Sequence, residues 1–364
     1  MSCATASTDD ALEQRLQQRL GAGELPSTKT TTMYDDYRAL RDSMTDYPWS
    51  STRRLLGVMV VCAVACSWVL AVPMFTILIP LYPHWLQFSV LAYWVFTSSV
   101  FPAQYWGRFH QALSKLEIGR ENGWKLLLQK GASHPERAEG SGGYLCAVHP
   151  HAIYSAAFGF SVVSSEEARA RGVPIINFAV HSALLHVVPI FKEFFRFLGA
   201  ISADAGSMTR ELMAGRNVVT IPGGSDECMW SGCKDAERLV LRERKGFVKL
   251  ALRLGVSLVP TFVYGESMGT GVLDLPFHAA RCRLTSLTGL PVCYVSLCQR
   301  WFLPFPNGKL VVALGRPVDL GNPNAEPTKE QVDAAHAAYV SALLQLVDET
   351  KEEAGYPHLR VELV

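Results

Sequence analysis

The chain of 364 residues carries 34 Lys or Arg and 33 Asp or Glu side chains, which leaves a formal net charge of +1 at pH 7. This balance argues against a nucleic-acid-binding surface and against an acidic tail, because each needs an excess of one charge. The length suits one large domain with an appendage. The hydrophobic share of 49% is high for a soluble enzyme and directs attention to membrane segments.

The nine cysteines contain no Cys-x-x-Cys pair, and two of them, Cys62 and Cys66, fall in an apolar segment. We therefore expect no metal site and no disulfide framework. Residues 1–50 are polar, so the first apolar stretch begins too late for a cleavable signal peptide. These features favour the reducing cytosol for the bulk of the chain.

The N-terminal segment 1–52 is predicted to be a polar, largely disordered cytosolic tail. One helix is expected within it, Asp9–Leu20, where Leu12, Leu16 and Leu20 repeat every four residues. This spacing would suit a partner helix, but leucine repeats this short are more often incidental.

A membrane hairpin, transmembrane or re-entrant, is predicted over residues 53–108, because Leu55–Gly107 contains no Asp, Glu, Lys or Arg. One helical crossing takes about 20 apolar residues, so this stretch has room for two. The first would run over Leu55–Ile79 and the second over Trp85–Ala103. Buried core helices are the alternative, but so long an uncharged stretch is hard to place in a water-soluble domain.

Charges at the ends of the hairpin predict its orientation. Arg53 and Arg54 precede it and Arg108 follows it, whereas the turn between the helices carries no Lys or Arg. The positive-inside rule therefore places both ends in the cytosol. Because Pro73 and Pro80 can break the first helix, a re-entrant hairpin that dips into one leaflet stays open.

Residues 109–364 are predicted to form a layered α/β domain that faces the cytosol. Short apolar runs typical of buried strands alternate there with amphipathic helices, which is the pattern of a sheet covered by helices. The predicted strands are 145–148, 175–180, 217–221, 257–263 and 309–314, and the predicted helices are 191–198, 245–254 and 328–354. Thr328 is the expected N-cap of the last helix, and Gly355 is its expected end.

The first predicted strand leads into His149-Pro150-His151. Pro150 cannot donate a ladder hydrogen bond and so ends the strand. Both imidazoles should therefore sit at the carboxyl end of a strand, where open α/β sheets bind ligands. Because histidine titrates near neutral pH, the turn is a candidate for a general base. The alternative is a packed turn in which the imidazoles only bind neighbouring backbone.

Four stretches in order resemble one family: the histidine turn, Leu198–Ile201 with the following Asp204, Pro222–Glu227, and Arg244–Ala251. They are similar to the type 2 diacylglycerol acyltransferase family, which includes monoacylglycerol and wax-alcohol acyltransferases. The likeness runs from the hairpin to the C-terminus, and the Arg-Lys-Gly-Phe stretch is its most specific piece. The family usually has His-Pro-His-Gly, whereas this chain has Ala152 in the fourth place, which is unfavourable if that residue needs positive φ.

The resemblance implies transfer of a fatty acyl group from acyl-CoA to the hydroxyl of a neutral lipid, most directly diacylglycerol to give triacylglycerol. It also implies a fold like that of glycerolipid acyltransferases and a location at the endoplasmic reticulum membrane, and a re-entrant hairpin would permit lipid droplets as well. Acyl-CoA is a substrate here, so no cofactor is expected. Monoacylglycerol and long-chain alcohols stay open as acceptors, as does homo-oligomerisation.

Within this resemblance the catalytic candidates are His151, His149 and Glu227. An alcohol is a poor nucleophile at neutral pH, so a positioned imidazole that takes its proton speeds the reaction. We favour His151 as the base because it leads into the next element, with His149 holding the turn or binding the thioester oxygen. Related enzymes use His-x-x-x-x-Asp, but neither histidine has an acid at that spacing. Glu227 is therefore preferred as the orienting carboxylate, ahead of Asp226.

Substrate-binding candidates come from three further patterns. Two glycines would shape the loop that carries the acid, although an ordinary tight turn explains them as well. Two basic residues begin a helix whose free amide groups favour an anion, such as the phosphates of coenzyme A or of lipid head groups. Two phenylalanines would line an acyl pocket or touch the bilayer, or belong to the core. These candidates are Gly223, Gly224, Arg244, Lys245, Phe194 and Phe195.

Two other functions compete with this interpretation. Gly265-Glu266-Ser267-Met268-Gly269 matches the nucleophile elbow of serine esterases, and Asp319 and His336 follow in the hydrolase order. Against it, glycines and a proline follow the serine where a helix is required. A non-catalytic, membrane-bound lipid-binding scaffold is the second alternative, and only Ala152 supports it.

Overall fold

The computed structural model describes residues 51–73, 81–100, 104–134, 143–151, 155–186, 191–232, 236–269, 277–288 and 310–364. The predicted helix Asp9–Leu20 and Ala152 lie outside these ranges, as does nearly all of the predicted tail. The predictions made for them stay predictions.

Nine strands are described, seven of which form one sheet. They are β1 Lys125–Leu128, β2 Leu145–His149, β3 Ile176–Val180, β4 Ile201–Ser202, β5 Asn217–Thr220, β6 Glu237–Leu239, β7 Leu258–Tyr264, β8 Val311–Leu314 and β9 Val361–Leu363. The sheet has the order β1-β8-β7-β2-β5-β3-β4. Only the β7–β8 pair is antiparallel within it. The other two strands, β6 and β9, pair separately.

The strand that leads into the histidines is the central one. Leu145 of β2 lies opposite Leu258 of β7 on one side and Val218 of β5 on the other. All five residues of β2 are buried, which is typical of a parallel strand covered on both faces. The mixed α/β prediction is confirmed, and each predicted strand overlaps an observed one. Four strands, β1, β4, β6 and β9, were not predicted. The last three have only two or three residues, which carry too little pattern.

Fourteen α-helices are described, and two π-helical turns, Phe96–Val100 and Gly159–Val163, extend two of them. The helices are α1 Thr52–Pro73, α2 His84–Val95, α3 Gly107–Ser114, α4 Ile118–Glu121, α5 Ala156–Phe158, α6 Glu166–Ala170, α7 Ser182–His186, α8 Phe191–Phe197, α9 Ala205–Met213, α10 Gly224–Cys228, α11 Gly246–Leu254, α12 Glu266–Gly269, α13 His278–Thr288 and α14 Lys329–Ala354.

The last helix begins and ends where the sequence predicts. The side chain of Thr328 accepts a hydrogen bond from the backbone N–H of Gln331, and the Gln331 side chain accepts one from that of Thr328. This reciprocal pair is a capping box, which satisfies two free N–H groups of the first turn. Gly355 ends the helix with a φ of 86°, a left-handed conformation that favours glycine.

The two faces of the sheet carry separate apolar layers. Successive residues of a strand point to opposite faces, so Leu145 and Ala147 join one layer while Cys146 and Val148 join the other. The first layer packs under α11 and α14. The second packs against α4 and the helical segment that follows the histidine turn. Helices therefore cover both faces of β2 in the described part of the chain, and its carboxyl end leads into the histidine turn.

The first helix of the predicted hairpin packs partly on the α/β domain. Val58 and Val61 of α1 are each 3% exposed. A Cβ at Gly57 would lie 3.1 Å from the Ile118 side chain of α4, so the two helices meet closely at that glycine. Leu56, one residue earlier, is exposed. Across the described residues, no helix has the length and apolar character needed to cross a membrane.

The second helix of the predicted hairpin is apolar and exposed in the part of the chain that the structure describes. None of the 12 residues of α2 is buried. Trp85 and Phe88 are each 69% exposed, and Leu91 is 54% exposed. Large apolar side chains on a contiguous exposed face are the feature of a surface that meets a membrane or another apolar partner.

Candidate active site

The candidate site lies at the carboxyl edge of the parallel strands. β2 ends at His149, β5 ends at Thr220 and β3 ends at Val180. Residues at or just beyond the ends of all three strands line one cavity. The His149–Pro150 peptide bond is cis. The histidine turn therefore lies at the predicted edge, where α/β sheets bind ligands.

Glu227 is the acid that the fold brings to the histidine turn. It is 1% exposed on α10. Its Oε2 accepts a hydrogen bond from the backbone N–H of His151, and its Oε1 accepts one from that of Val240 at 3.0 Å. The same Oε1 lies 3.9 Å from Nδ1 of His149. The carboxylate thus holds the turn through its backbone and faces the buried imidazole.

The side chain of Glu227 explains why glycine stands at the two predicted positions, 223 and 224. A Cβ added at Gly223 would overlap the carboxylate of Glu227, which folds back over that position. Gly224 has a φ of 56°, a left-handed conformation that costs glycine little. Gly224 also lines the cavity. The glycine pair therefore permits the close approach of the acid, and its contact with substrate stays a prediction.

His149 belongs to the protein interior. It is 0% exposed, and its Nε2 lies 3.1 Å from the hydroxyl of Tyr339. The same hydroxyl donates to the carbonyl of Ala147 at 3.2 Å. Because a hydroxyl carries one proton, that donation requires Nε2–H of His149 to be the donor in the first contact. His149 then presents Nδ1 to Glu227.

Tyr339 was missed by the sequence analysis. It lies in α14, 190 positions from the histidine that it contacts. Phe247 packs edge-on against its ring with 5.0 Å between the centroids. Burial raises its pKa well above the ordinary value, so the group stays a neutral hydroxyl. A tyrosine on the apolar face of a long helix looks like core, so no local signal marks it.

His151 is the accessible histidine of the turn. It is partly buried and lines the cavity. Its Nδ1 lies 3.2 Å from Sγ of Cys228, the residue after Glu227. When Nδ1–H donates to that sulfur, Nε2 keeps its lone pair, as a base requires. The sequence analysis missed Cys228, because it weighed cysteines only as metal ligands and disulfide partners.

An apolar cavity of about 270 Å³ opens beside His151. Phe194 and Phe195 of α8 line it, where the sequence predicts an acyl pocket. Val61 and Val64 of α1 also line it, so the predicted membrane hairpin and the histidine turn share one cavity. Ring walls and branched aliphatic side chains suit a hydrocarbon ligand.

The predicted basic pair lies outside the lining of this cavity. Arg244 pairs with Asp226, and Nζ of Lys245 lies 2.7 Å from Oδ1 of Asp333. Asp226, the second choice for the orienting acid, also accepts a hydrogen bond from the Ser286 hydroxyl at 2.9 Å. A phosphate of coenzyme A would have to compete with these carboxylates, and its binding here stays a prediction.

The residues of the rival serine triad each have another partner. The Ser267 hydroxyl is buried and donates to Oε2 of Glu237 at 2.7 Å. Nε2 of His336 lies 3.0 Å from the Leu241 carbonyl oxygen, and Asp319 accepts from a backbone N–H two residues later. The serine lies in a helix of 4 residues, α12, which ends at Gly269, and residues 270–276 lie outside the described ranges. The bond of the serine to a buried acid argues against an esterase nucleophile.

Two more buried acids surround the site. Burial raises the pKa of Glu237 to about 8 and that of Glu266 to about 7. Oε1 of Glu266 accepts a hydrogen bond from the backbone N–H of Ala157 at 2.9 Å, at the start of the helix that follows the histidine turn. Within the ranges that the structure describes, no cluster of His, Cys, Asp and Glu is arranged to hold a metal ion.

The fold and the site together define the class of protein to which the chain belongs. The chain has an α/β sheet whose carboxyl edge carries paired histidines and a buried acid, beside an apolar cavity. The family model described as diacylglycerol acyltransferase matches residues 134–363, a span that includes both histidines and Glu227. The chain belongs to this family.

Curated relatives agree with this assignment. The chain is 29% identical to a diacylglycerol O-acyltransferase 1 of Eremothecium gossypii, over 66% of this chain and 54% of that protein. It is 30% identical to the human 2-acylglycerol O-acyltransferase 3, over 59% and 66% of the two chains. It is 24% identical to diacylglycerol O-acyltransferase 2B of Umbelopsis ramanniana, over 82% and 85%. No solved structure matches the chain.

Proposed function

We propose that this chain transfers a fatty acyl group from acyl-CoA to the hydroxyl of a neutral lipid, with diacylglycerol as the main acceptor and triacylglycerol as the product. The observation that carries the proposal is the position of His151, a partly buried imidazole on the wall of an apolar cavity. The cavity suits an acyl chain, and the imidazole suits removal of a hydroxyl proton. Family membership supports the reaction type.

In the proposed reaction, Nε2 of His151 takes the proton of the acceptor hydroxyl as the acceptor oxygen forms a bond to the thioester carbon. The carbonyl electron pair moves onto its oxygen. When that pair returns, the carbon–sulfur bond breaks, and the proton passes from His151 to the sulfur of coenzyme A. The products are the new ester and free coenzyme A thiol, and the imidazole regains its starting state.

Buried groups behind His151 support this role. Glu227 holds the backbone N–H of His151, and its negative charge stabilises the imidazolium that forms during transfer. His149 and Tyr339 fill the space behind the turn and have no exposed surface. We therefore assign proton transfer to His151 and the support of the turn to His149.

Other acceptors are the second candidate. Relatives include proteins named 2-acylglycerol O-acyltransferase and acyl-CoA wax alcohol acyltransferase. Monoacylglycerol and long-chain alcohols carry the same nucleophile, a lipid hydroxyl, and would use the same base. Acyl-CoA is a substrate in all these reactions, so the proposal requires neither a resident cofactor nor a metal.

We also propose that the hairpin anchors the chain in the endoplasmic reticulum membrane, with the α/β domain in the cytosol and lipid droplets as a further location. The exposed apolar surface of α2 supports insertion. Val61 and Val64 of α1 line the cavity, so a lipid could pass from the bilayer to His151 without crossing water. Transmembrane and re-entrant arrangements both permit this, and protease protection of the two hairpin ends distinguishes them.

The test is transfer of labelled oleoyl-CoA to diacylglycerol, monoacylglycerol and a fatty alcohol in membranes that contain the full chain. We expect the wild type to esterify diacylglycerol fastest. His151→Ala should lose about 10²- to 10⁴-fold in rate, the usual contribution of a general base. Its melting temperature should change little, because the side chain is partly exposed.

Ser267→Ala is the matched control, since the serine lies in the rival motif and outside the cavity lining. We expect that variant to keep its transfer activity. Loss in Ser267→Ala alone, with free oleate as the main product, would establish hydrolase chemistry instead. A wild type that transfers to no acceptor would favour the scaffold interpretation.

A further inference from the structure

Ser155 lines the same cavity, and the proposed mechanism does not use its buried hydroxyl. It is 6% exposed and lines the cavity together with His151. Its Oγ has no hydrogen-bond partner among the described residues. Burying a hydroxyl without a partner costs free energy, so such a group in a ligand cavity indicates that the ligand supplies the partner.

The local structure explains why this hydroxyl stays available. A serine just before a helix ordinarily caps it by accepting from a backbone N–H of the first turn. Here Oε1 of Glu266, in α12, accepts a hydrogen bond from the backbone N–H of Ala157 at 2.9 Å. Ser155 makes no capping bond with its side chain. The capping role is filled by the acid, and the serine hydroxyl is left without a partner in a residue that lines the cavity.

The backbone of Ser155 is also held in an unusual conformation. Its φ is 43° and its ψ is 38°, a left-handed conformation that is uncommon for residues with a side chain. Strained residues of this kind persist where the surrounding structure holds them, and they cluster at functional sites. The conformation fixes the direction of the Cα–Cβ bond and so limits where the hydroxyl can lie.

Resting on the proposed function, we propose that the Ser155 hydroxyl donates a hydrogen bond to the carbonyl oxygen of the bound thioester. As the acceptor oxygen bonds to the thioester carbon, negative charge collects on that carbonyl oxygen. A fixed donor in a water-poor cavity stabilises this charge more than it stabilises the neutral carbonyl. When the carbon–sulfur bond breaks, the charge leaves the oxygen, and Ser155 keeps its own proton throughout.

The carbonyl oxygen is a better partner than the acceptor hydroxyl for two reasons. The acceptor hydroxyl must give its proton to His151, and a second donor directed at its oxygen would reduce its nucleophilicity. The carbonyl oxygen, in contrast, has no other assigned partner and gains negative charge as the acceptor oxygen bonds to the thioester carbon. Ser155 thus supplies an oxyanion donor, while His151 supplies the base.

The first experiment compares Ser155→Ala, Ser155→Gly and Ser161→Ala in the full chain, by kcat and KM for oleoyl-CoA. Both Ser155 variants should lose about 10²- to 10³-fold in kcat, as removal of an oxyanion donor does, and KM should rise by no more than about tenfold from the lost contact to the ground-state carbonyl. Glycine relieves the left-handed backbone, whereas alanine does not. Equal losses in the two variants therefore assign the effect to the hydroxyl, and recovery of activity in Ser155→Gly would overturn the proposal.

Ser161 is the matched control. It is also 6% exposed with an unpartnered hydroxyl in the described structure, but it does not line the cavity. Ser161→Ala should keep wild-type kcat. A loss in this variant as large as in Ser155→Ala would assign the effect to packing and overturn the proposal.

The second experiment measures binding of two inert acyl-CoA analogues to wild type and Ser155→Ala. In one, CH₂ replaces the thioester sulfur and the carbonyl stays; in the other, a thioether, the carbonyl is absent. We expect the carbonyl analogue to bind about tenfold more weakly to the variant, and the thioether to bind equally. Equal binding of the carbonyl analogue to both proteins would refute the contact. Absence of any wild-type transfer would instead show that the proposed function itself fails.

Discussion

At the scale of single residues, Glu227 organises the site. Its two oxygens accept hydrogen bonds from the backbone N–H groups of His151 and Val240, which lie 76 and 13 positions away in the chain. A buried carboxylate with both oxygens engaged holds these segments at fixed distances. The histidine turn therefore depends on an acid that local sequence does not place beside it.

Gly223→Ala should disrupt this arrangement. The new methyl group would overlap the Glu227 carboxylate, which must then give up its bonds to the backbone. We expect a stability loss of about 1–3 kcal/mol, the usual cost of overpacking a closed site, and loss of most transfer activity. Thermal unfolding and the oleoyl-CoA assay measure the two effects.

Gly246→Ala is the control for that substitution. Gly246 begins α11, and nothing lies within 4 Å of a Cβ built there. Alanine favours a helix over glycine by about 0.5–1 kcal/mol, so this variant should be as stable as the wild type or slightly more stable. If both variants lost the same stability and activity, the contact with Glu227 would not be the reason that position 223 requires glycine.

At the scale of secondary-structure elements, the hairpin helices have different partners. α1 packs on the α/β domain through Val58 and Val61, whereas α2 exposes its apolar side chains. An uncharged stretch predicts burial in an apolar medium, but it does not say whether protein or lipid provides that medium. Packing of α1 on α4 shows that protein covers part of that helix in the described residues.

Replacing Phe88 and Leu91 of α2 with serine should weaken membrane attachment. Full burial of such side chains contributes about 1.5–3 kcal/mol each, so the fraction of protein that floats with liposomes should fall several-fold. Met213→Ser is the control, because Met213 is 57% exposed on α9, at a distance in sequence from the hairpin. Flotation that stays unchanged in the double variant would contradict the role of α2.

At the scale of the whole molecule, buried acids link stability to pH. Burial raises the pKa of Glu237 to about 8 from an ordinary value of 4.5. The unfolded chain releases this proton near pH 4.5, while the folded protein keeps it until about pH 8. Folding therefore takes up a proton between these values, and the stability of the folded state falls as pH rises through that window. Burial raises the pKa of Glu266 to about 7, so this residue also lowers the stability of the folded state as pH rises towards 7.

We expect the melting temperature of the wild type to be lower at pH 8.5 than at pH 6. Glu237→Gln should reduce this difference, because the amide cannot ionise and still accepts the hydrogen bond of Ser267. Glu243→Gln, at an exposed position, is the control and should keep the wild-type difference. An identical pH dependence in all three proteins would exclude Glu237 as its source.

Sequence by itself determined the elements that depend on near neighbours. The apolar run of β2 predicts a buried strand, and Thr328 with Gly355 predicts both ends of the last helix, because caps and strand periodicity act over a few residues. The histidine turn followed from the same local pattern. The family resemblance then indicated the acid and the glycines that the fold places around it.

Only the tertiary structure decided which side chains meet. Tyr339 reaches His149 across 190 positions, Cys228 reaches His151 across 77, and Glu266 caps the helix after the turn across 109. None of these contacts leaves a local pattern, since each depends on how the chain crosses the sheet. The hydroxyl of Ser155 is available for the same reason: a distant acid occupies the N–H that the serine would otherwise cap.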